Sequence, residues 1–223
     1  MQEPADTKTV LTEEPAPKAV KTHAEHYPNY TVWRKGCLTH RDDDLPAKIW
    51  YNGDQEWHKN GEIHRGGDLP AVMCSDGFQA WFKHDMVHRD GDRPARIWPN
   101  GDQEWSKDGL IHRDGDLPAV VCSGGYQAWV KHNKKHRDGD LPARVWPCGC
   151  SEWYKDDLLH RDDDLPAVMR CDKHGLYKSS LWKWYRYGVK QTVVDSERKR
   201  QGMLRWTPLR AAFVGAVAAA AGS

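Results

Sequence analysis

The sequence lacks the features that usually announce an enzyme, a membrane-spanning protein or a secreted disulfide scaffold. It has no glycine-rich phosphate loop, no nucleophile elbow and no singular Ser/His/Asp or Cys/His set. Its apolar end, AAFVGAVAAAAG at Ala211–Gly222, runs twelve residues, where a helix needs about 20 to cross a bilayer. The opening residues, MQEPADTKTVLTEEPAPK, contain no apolar segment of the secretory-signal kind. Net charge is only +1, so attraction to a polyanion has to come from a local cluster. Phenylalanine is scarce at three residues, yet there are twelve tryptophans, which makes Trp the main large apolar material for a core. The six cysteines are not spaced as a framework, and only Cys74 and Cys122 hold equivalent positions. Free thiols in a reducing, intracellular compartment are expected.

What is present is a repeat. HRDGDLPA at His112–Ala119 recurs in near-copies from His40, His64, His88, His136 and His160, with a constant period of 24. Five full rows begin at Arg41, Arg65, Arg89, Arg113 and Arg137; a sixth from Arg161 decays after Met169, as a terminal capping unit would. Tyr27–His40 reads as a half unit, because Trp33 stands one such period before Trp57. Residues 1–26, rich in Pro, Glu, Thr, Lys and Ala, read as a disordered arm; 27–187 as the array; 188–223 as a basic segment with an Ala-rich tail.

Within a row, alternation after the Pro predicts a strand, with Leu45, Ala47 and Ile49 on one face and Lys48 and Trp50 on the other. Tyr-Asn-Gly, Ser-Asp-Gly, Pro-Asn-Gly, Ser-Gly-Gly and Pro-Cys-Gly then end on Gly53, Gly77, Gly101, Gly125 and Gly149. That is the chemistry of a type I turn closed by a left-handed Gly, a three-residue hairpin loop with a bulge. The register it implies pairs Trp50 with Asp54, Ile49 with Gln55, Lys48 with Glu56 and Ala47 with Trp57. The face carrying Ala47, Ile49 and Trp57 stays apolar in every row and is the expected shared core, since a lone hairpin is marginal in water. The fold class expected is all-β: an elongated, twisted antiparallel sheet of 24-residue hairpins.

HRDGDLPA then joins one hairpin to the next. Its structural reading is a turn in which Arg neutralises Asp or donates to carbonyls. The competing reading is a metal ladder of six His beside Asp, but an Arg inside every loop repels a cation and no zinc or calcium spacing is matched. Cys148-Gly-Cys150 offers two ligands and stops there. No metal, cofactor or catalytic residue is assigned.

The opposite face changes with a period of 48. Odd rows carry Lys48, Trp50, Asp54, Glu56; Arg96, Trp98, Asp102, Glu104; and Arg144, Trp146, Glu152. Even rows carry Val72, Cys74, Phe78, Ala80; and Val120, Cys122, Tyr126, Ala128. These residues either pack internally between rows or present a surface, for which Trp50, Trp98, Trp146, Val72, Phe78, Val120 and Tyr126 are the candidate partner-binding residues. Self-association is another use of the same face. Arg198, Lys199, Arg200 and Arg205 in the basic segment are the candidates for an alternative, attachment to membrane or nucleic acid.

The combined pattern W-x-x-(N/D)-G-x-(I/L)-H-R-x-x-D-x-P-A, followed by N-G-x-x-x-W, resembles the MORN-like and YwqK-like hairpin repeats, in the subtype found in large DNA viruses of amoebae and in phages. The resemblance covers about Tyr27–Tyr187. It implies a non-enzymatic scaffold for protein–protein interaction, as a viral structural or virion-associated component. The Tyr/Gly-rich strand of the MORN consensus is missing, so the lipid association attributed to some MORN proteins is not carried over.

Overall fold

The computed structural model describes residues 21–172, 176 and 179–191. Their secondary structure is β throughout apart from one 3-10 turn at Ser179–Leu181. A single fourteen-stranded antiparallel sheet runs through the rows in sequence order. The long hairpin of the first row pairs Lys48 with Glu56 and Ile49 with Gln55. Trp50 N–H donates to Asp54 O at 2.9 Å and Gly53 N–H to Trp50 O at 3.0 Å, with Gly53 at φ 96°. That is the expected register and the expected bulged turn. Successive hairpins join by Gln55 opposite Met73 and Glu56 opposite Val72, and later rows repeat this pairing.

One expected pair does not form. Ala47 N–H donates to Glu56 O (2.8 Å), while Trp57 N–H turns away to Ala71 O of the next row (2.8 Å). The same switch recurs at Trp81, Trp105, Trp129 and Trp153. Trp57 leaves the long hairpin because a second, shorter one starts there: His58–Lys59 pairs with Glu62–Ile63. Both turn residues have left-handed backbones, Asn60 at φ 52° and Gly61 at φ 94°, the signature of a two-residue type I′ turn. Equivalent pairs are His84-Asp85, Asp108-Gly109, His132-Asn133, Asp156-Asp157 and Tyr187-Gly188. Each repeat is thus two hairpins, one in the continuous sheet and one in a separate two-stranded sheet.

Of the three columns expected in the core, those of Ala47 and Trp57 are buried, and that of Ile49 is buried only toward the C-terminal end. Ile49, Met73, Ile97 and Val121 are half-buried, and only Val145 and Met169 of that series are buried. The fully covered column is made by Ala47, Ala71, Ala95, Ala119, Ala143 and Ala167, each with no exposed surface, beside Trp57, Trp81, Trp105, Trp129 and Trp153. Each Ala is bonded to backbone on both sides, as Ala47 is to Glu56 O and from Trp33 N–H, and its methyl has no exposed surface.

Both boundaries of the array differ from expectation. Thr22–His26 is a strand paired with Tyr30–Lys35, Ala24 facing Trp33. It supplies the partner that the half unit otherwise lacks on its outer side, with His23 and Glu25 on the edge, where charge discourages further pairing. At the other end the array continues past Tyr187: Trp184–Arg186 pairs with Val189–Gln191. Trp184 resumes the tryptophan column, its Nε1–H on Asp164 O at 3.0 Å. Arm residues 1–20 and tail residues 192–223 lie outside the described residues.

Candidate interaction surface

The repeated loop spends its polar groups on neighbouring rows. In the fourth row, Arg113 Nε and Nη2 donate to Asp92 Oδ1 and Oδ2 at 2.5 and 2.7 Å, and Nη1 donates to Pro118 O at 3.1 Å. Its guanidinium lies 3.9 Å from the Trp105 ring centre. Arg65, Arg89, Arg137 and Arg161 are paired likewise with Asp44, Asp68, Asp116 and Asp140. They hold the equivalent proline carbonyls and stack on Trp57, Trp81, Trp129 and Trp153. The loop His bridges in the other direction. His112 Nε2 meets Asp114 Oδ1 at 3.0 Å, and its Nδ1 accepts the His132 N–H at 3.4 Å. His40, His88, His136 and His160 accept a turn N–H in the same way.

These contacts set the electrostatics. The His side chains bonded to Asp42, Asp90, Asp114 and Asp138 hold those carboxyls below the usual range. Arg89 does so for Asp68 and Arg113 for Asp92. Five of the six ladder histidines are therefore engaged in hydrogen bonds within and between rows. His64, followed by Gly66 in place of Asp, keeps a buried Nδ1 without a hydrogen-bond partner. The one group of three or more metal-capable side chains among the described residues lies away from the ladder. Shallow clefts do recur between successive loops. One of about 440 Å³ is bordered by Arg89, Arg93, Trp105, Lys107, Arg113 and Leu117, and those Arg are already committed to Asp68 or Asp92.

The alternating face is where side chains remain half-exposed in an ordered series. Trp50, Trp98, Trp146, Val72, Phe78, Val120 and Tyr126 are all half-buried. The structure brings four of them together as pairs across rows: Phe78 with Trp98 at 5.6 Å and Tyr126 with Trp146 at 5.4 Å between ring centres. Tyr30, which the sequence reading does not single out, completes the set against Trp50 at 6.2 Å. Cations sit over two of the clusters: Lys48 over Tyr30 and Trp50 at 4.7 and 4.2 Å, and Arg144 over Tyr126 and Trp146 at 5.5 and 4.9 Å. Arg144 Nε also donates to Tyr126 Oη at 2.8 Å. Of the cross-strand charge pairs expected at Lys48–Glu56 and Arg96–Glu104, the second forms at 2.5 Å. Glu56 instead meets His58 Nε2 at 3.0 Å while Lys48 lies over the rings, and Arg144–Glu152 closes to 3.3 Å. The sequence does carry a signal for Tyr30, which precedes Phe78 by one full period of 48 and Tyr126 by two.

Arg198, Lys199, Arg200 and Arg205 lie outside the described residues. Among the described residues no helix is long and apolar enough to cross a membrane. Comparison with protein-family models, curated proteins and solved structures finds no match for this chain. The geometry itself defines a class, an all-β protein built from 24-residue repeats of paired hairpins.

Proposed function

We propose that this chain is a non-enzymatic repeat scaffold of the MORN-like type whose alternating face takes a protein partner. The observation that carries the reading is the series of three aromatic clusters, Tyr30–Trp50, Phe78–Trp98 and Tyr126–Trp146, on one face of one sheet. Each cluster lies two rows from the next, four strands away, or about 19 Å along the sheet at the usual strand spacing. Half-exposed aromatic rings with adjacent cations are the side chains from which binding hot spots are made. A partner matched to them has apolar anchors repeating at that interval, each beside an acidic group to meet Lys48, Arg96 or Arg144. Against catalysis stands the repetition of the His, Arg and Asp groups, because a reaction needs one constellation and these loops hold six variants of the same one.

The test is capture on the immobilised full chain with quantitative mass spectrometry, comparing wild type with the triple variant Trp50→Ala, Trp98→Ala, Trp146→Ala. The control is Leu45→Ser, Leu69→Ser, Leu117→Ser, which changes exposed leucines of the loops. Circular dichroism establishes that each protein is folded. A binder reduced at least tenfold by the Trp variant and retained by the Leu variant supports the reading. Binding indifferent to the three Trp, or no specific binder at all, overturns it.

A further inference from the structure

At the tip of the long hairpin in the first and third rows, one residue triad ties the turn to the next row. In the first row Asn52 Oδ1 accepts the Asp54 N–H (3.1 Å), and Asp54 Oδ1 accepts both the N–H and the Oγ–H of Ser75 (2.8 and 3.0 Å). In the third row Asn100, Asp102 and Ser123 repeat it at 3.1, 2.7 and 3.0 Å. Two rows further on, in the last full row, all three positions become cysteine at once: Cys148, Cys150 and Cys171. The backbone bond survives, Cys171 N–H donating to Cys150 Sγ at 3.2 Å. The Cys150 and Cys171 sulfurs are 2.9 Å apart, Cys171 Sγ–H donates to Cys148 O at 3.3 Å, and all three sulfurs lie within 4.8 Å of one another.

We propose that Cys148, Cys150 and Cys171 form a binding site for a single thiophilic metal ion, of the Zn²⁺ or Cu⁺ class, which fastens the last full row to the capping segment. The sequence shows two ligands side by side; the sheet register delivers the third from the row that follows. Around a tetrahedral zinc with bonds of about 2.3 Å, thiolates stand about 3.8 Å apart, so the cluster is already near coordinating dimensions. Small rotations of three side chains on a partly exposed turn close the difference. Thiolates select soft ions over Mg²⁺ or Ca²⁺. A disulfide would account for Cys150 and Cys171 alone and leave the simultaneous change at Cys148 without a role, whereas a metal uses all three. Binding would displace thiol protons, so affinity should rise with pH. Burial, with hydrogen bonds to Cys150 and Cys148, pushes Cys171 up to about 12. Burial also raises Cys148, but hydrogen bonds from Cys150 and Cys171 outweigh it and leave that thiol below its ordinary value. Water or a small thiol from solution fills the remaining coordination position.

The test uses the full chain, reduced and freed of metal, titrated anaerobically with Zn²⁺ in competition with a chromophoric chelator, and separately with Co²⁺ to read thiolate-to-metal charge transfer. The expected result is one ion per chain. Affinity should fall at least a hundredfold in Cys148→Ser and in Cys171→Ser and stay within threefold in Cys74→Ser plus Cys122→Ser. The decisive variant is Cys148→Asn, Cys150→Asp, Cys171→Ser, which installs the triad of the first and third rows and so retains a hydrogen-bonded link while removing every thiolate. It should fold and show no charge transfer. Zinc binding no tighter in wild type than in that variant overturns the proposal. So does a Cys150–Cys171 disulfide, seen by mass spectrometry as the loss of two hydrogens, that persists under the cytosolic glutathione poise and excludes the ion.

Discussion

Arg113 and Asp92 belong to successive repeated loops and meet as a two-pronged ion pair, Nε to Oδ1 at 2.5 Å and Nη2 to Oδ2 at 2.7 Å. The same guanidinium caps Trp105 and holds the Pro118 carbonyl, so one side chain ties three pieces of chain together. Arg113→Ala should cost about 2–3 kcal/mol in urea unfolding, since it strands a carbonyl and uncovers a buried ring as well as removing a charge. Arg113→Lys should recover less than half of that, because an ammonium has neither the fork nor the flat stacking surface. Asp92→Asn, at a half-exposed carboxylate, should cost under about 1 kcal/mol. Equal losses for Lys and Ala would support the geometric account; a fully wild-type Lys variant would refute it.

The Ala column makes a second, sharper demand. Ala119 has no exposed surface, and its N–H and C=O are both bonded, to Ala128 O and from Trp105 N–H. Ala119→Val adds two methyls to a side chain with no exposed surface and should destabilise by about 1–3 kcal/mol through overpacking. Trp105→Ala should cost about 3–5 kcal/mol by emptying the adjoining space. A denaturation midpoint unchanged by Ala119→Val would show that the column is not packed as described.

Much of the architecture is legible in the sequence, and what escapes it has identifiable causes. The long hairpin announces itself through Pro-Asn-Gly and strand alternation, and its register follows from the loop length. The short hairpin is harder to see, although Asn60-Gly61 and Asp108-Gly109 are strong turn dipeptides; the even rows write His84-Asp85 and His132-Asn133 there, and two-residue strands show no alternation. The core face is legible in Ala47 and Trp57, but alternation overrates Ile49, which stays half-buried, and cannot see that Trp57 changes partner. Cys171 is hidden as a partner of Cys150 because only cross-strand register brings them together, though aligning rows at 48 rather than 24 puts it opposite Ser75 and Ser123.

Glycines test the turn assignment directly. Gly109 occupies the second place of a type I′ turn at φ 79°, and a methyl there would touch Met86 at 3.7 Å. Gly109→Ala should cost about 1 kcal/mol for the left-handed backbone alone. Gly124 has no such φ and open space around its would-be Cβ. Gly124→Ala should therefore be neutral or stabilising by up to about 1 kcal/mol through the unfolded chain. The paired thermal melts must move in opposite directions, or the first alone must fall.

Acid should weaken the array in two stages. His64 is held below the ordinary histidine value by burial, reinforced by His84 and Lys59, with Lys83 adding to the effect and Glu62 opposing it. The unfolded chain thus takes up that proton first, and stability is lost as pH falls from about 6.5 through the lower folded value. The carboxyls of Asp42, Asp68, Asp90, Asp92, Asp114 and Asp138 are also lowered. Their contribution is complete above about pH 4 and disappears below it, as each must protonate against its bonded His or Arg. His64→Gln should flatten the urea midpoint between pH 7 and 5 relative to wild type while leaving the acid limb below pH 4 in place. An unchanged slope between pH 7 and 5 would remove His64 from the account.

The period of 48 is a rule about junctions, and deletions test it. An odd row meets the next even row through a hydrogen-bonded tip, Asp54 to Ser75 and Asp102 to Ser123. An even row meets the next odd row through packing, Gly77 beside Pro99 and Gly125 beside Pro147. Proline has no N–H, so the two junctions are not interchangeable. Deleting Arg89–His136, two rows, brings an even row against an odd one: Gly77 faces Pro147, Phe78 faces Trp146, and every neighbour relation is of a type already present. Deleting only Arg113–His136 sets two odd rows together, leaving Asp102 opposite Pro147 with both serine donors gone and Trp146 without Tyr126. In a linear array stability follows nearest-neighbour terms, and the lost charged hydrogen bonds and ring contact together are worth about 2–3 kcal/mol. The single-row deletion, although it leaves the longer protein, should therefore unfold at lower urea than the two-row deletion. The reverse order, with stability tracking length alone, would mean that the alternation of rows carries no structural information.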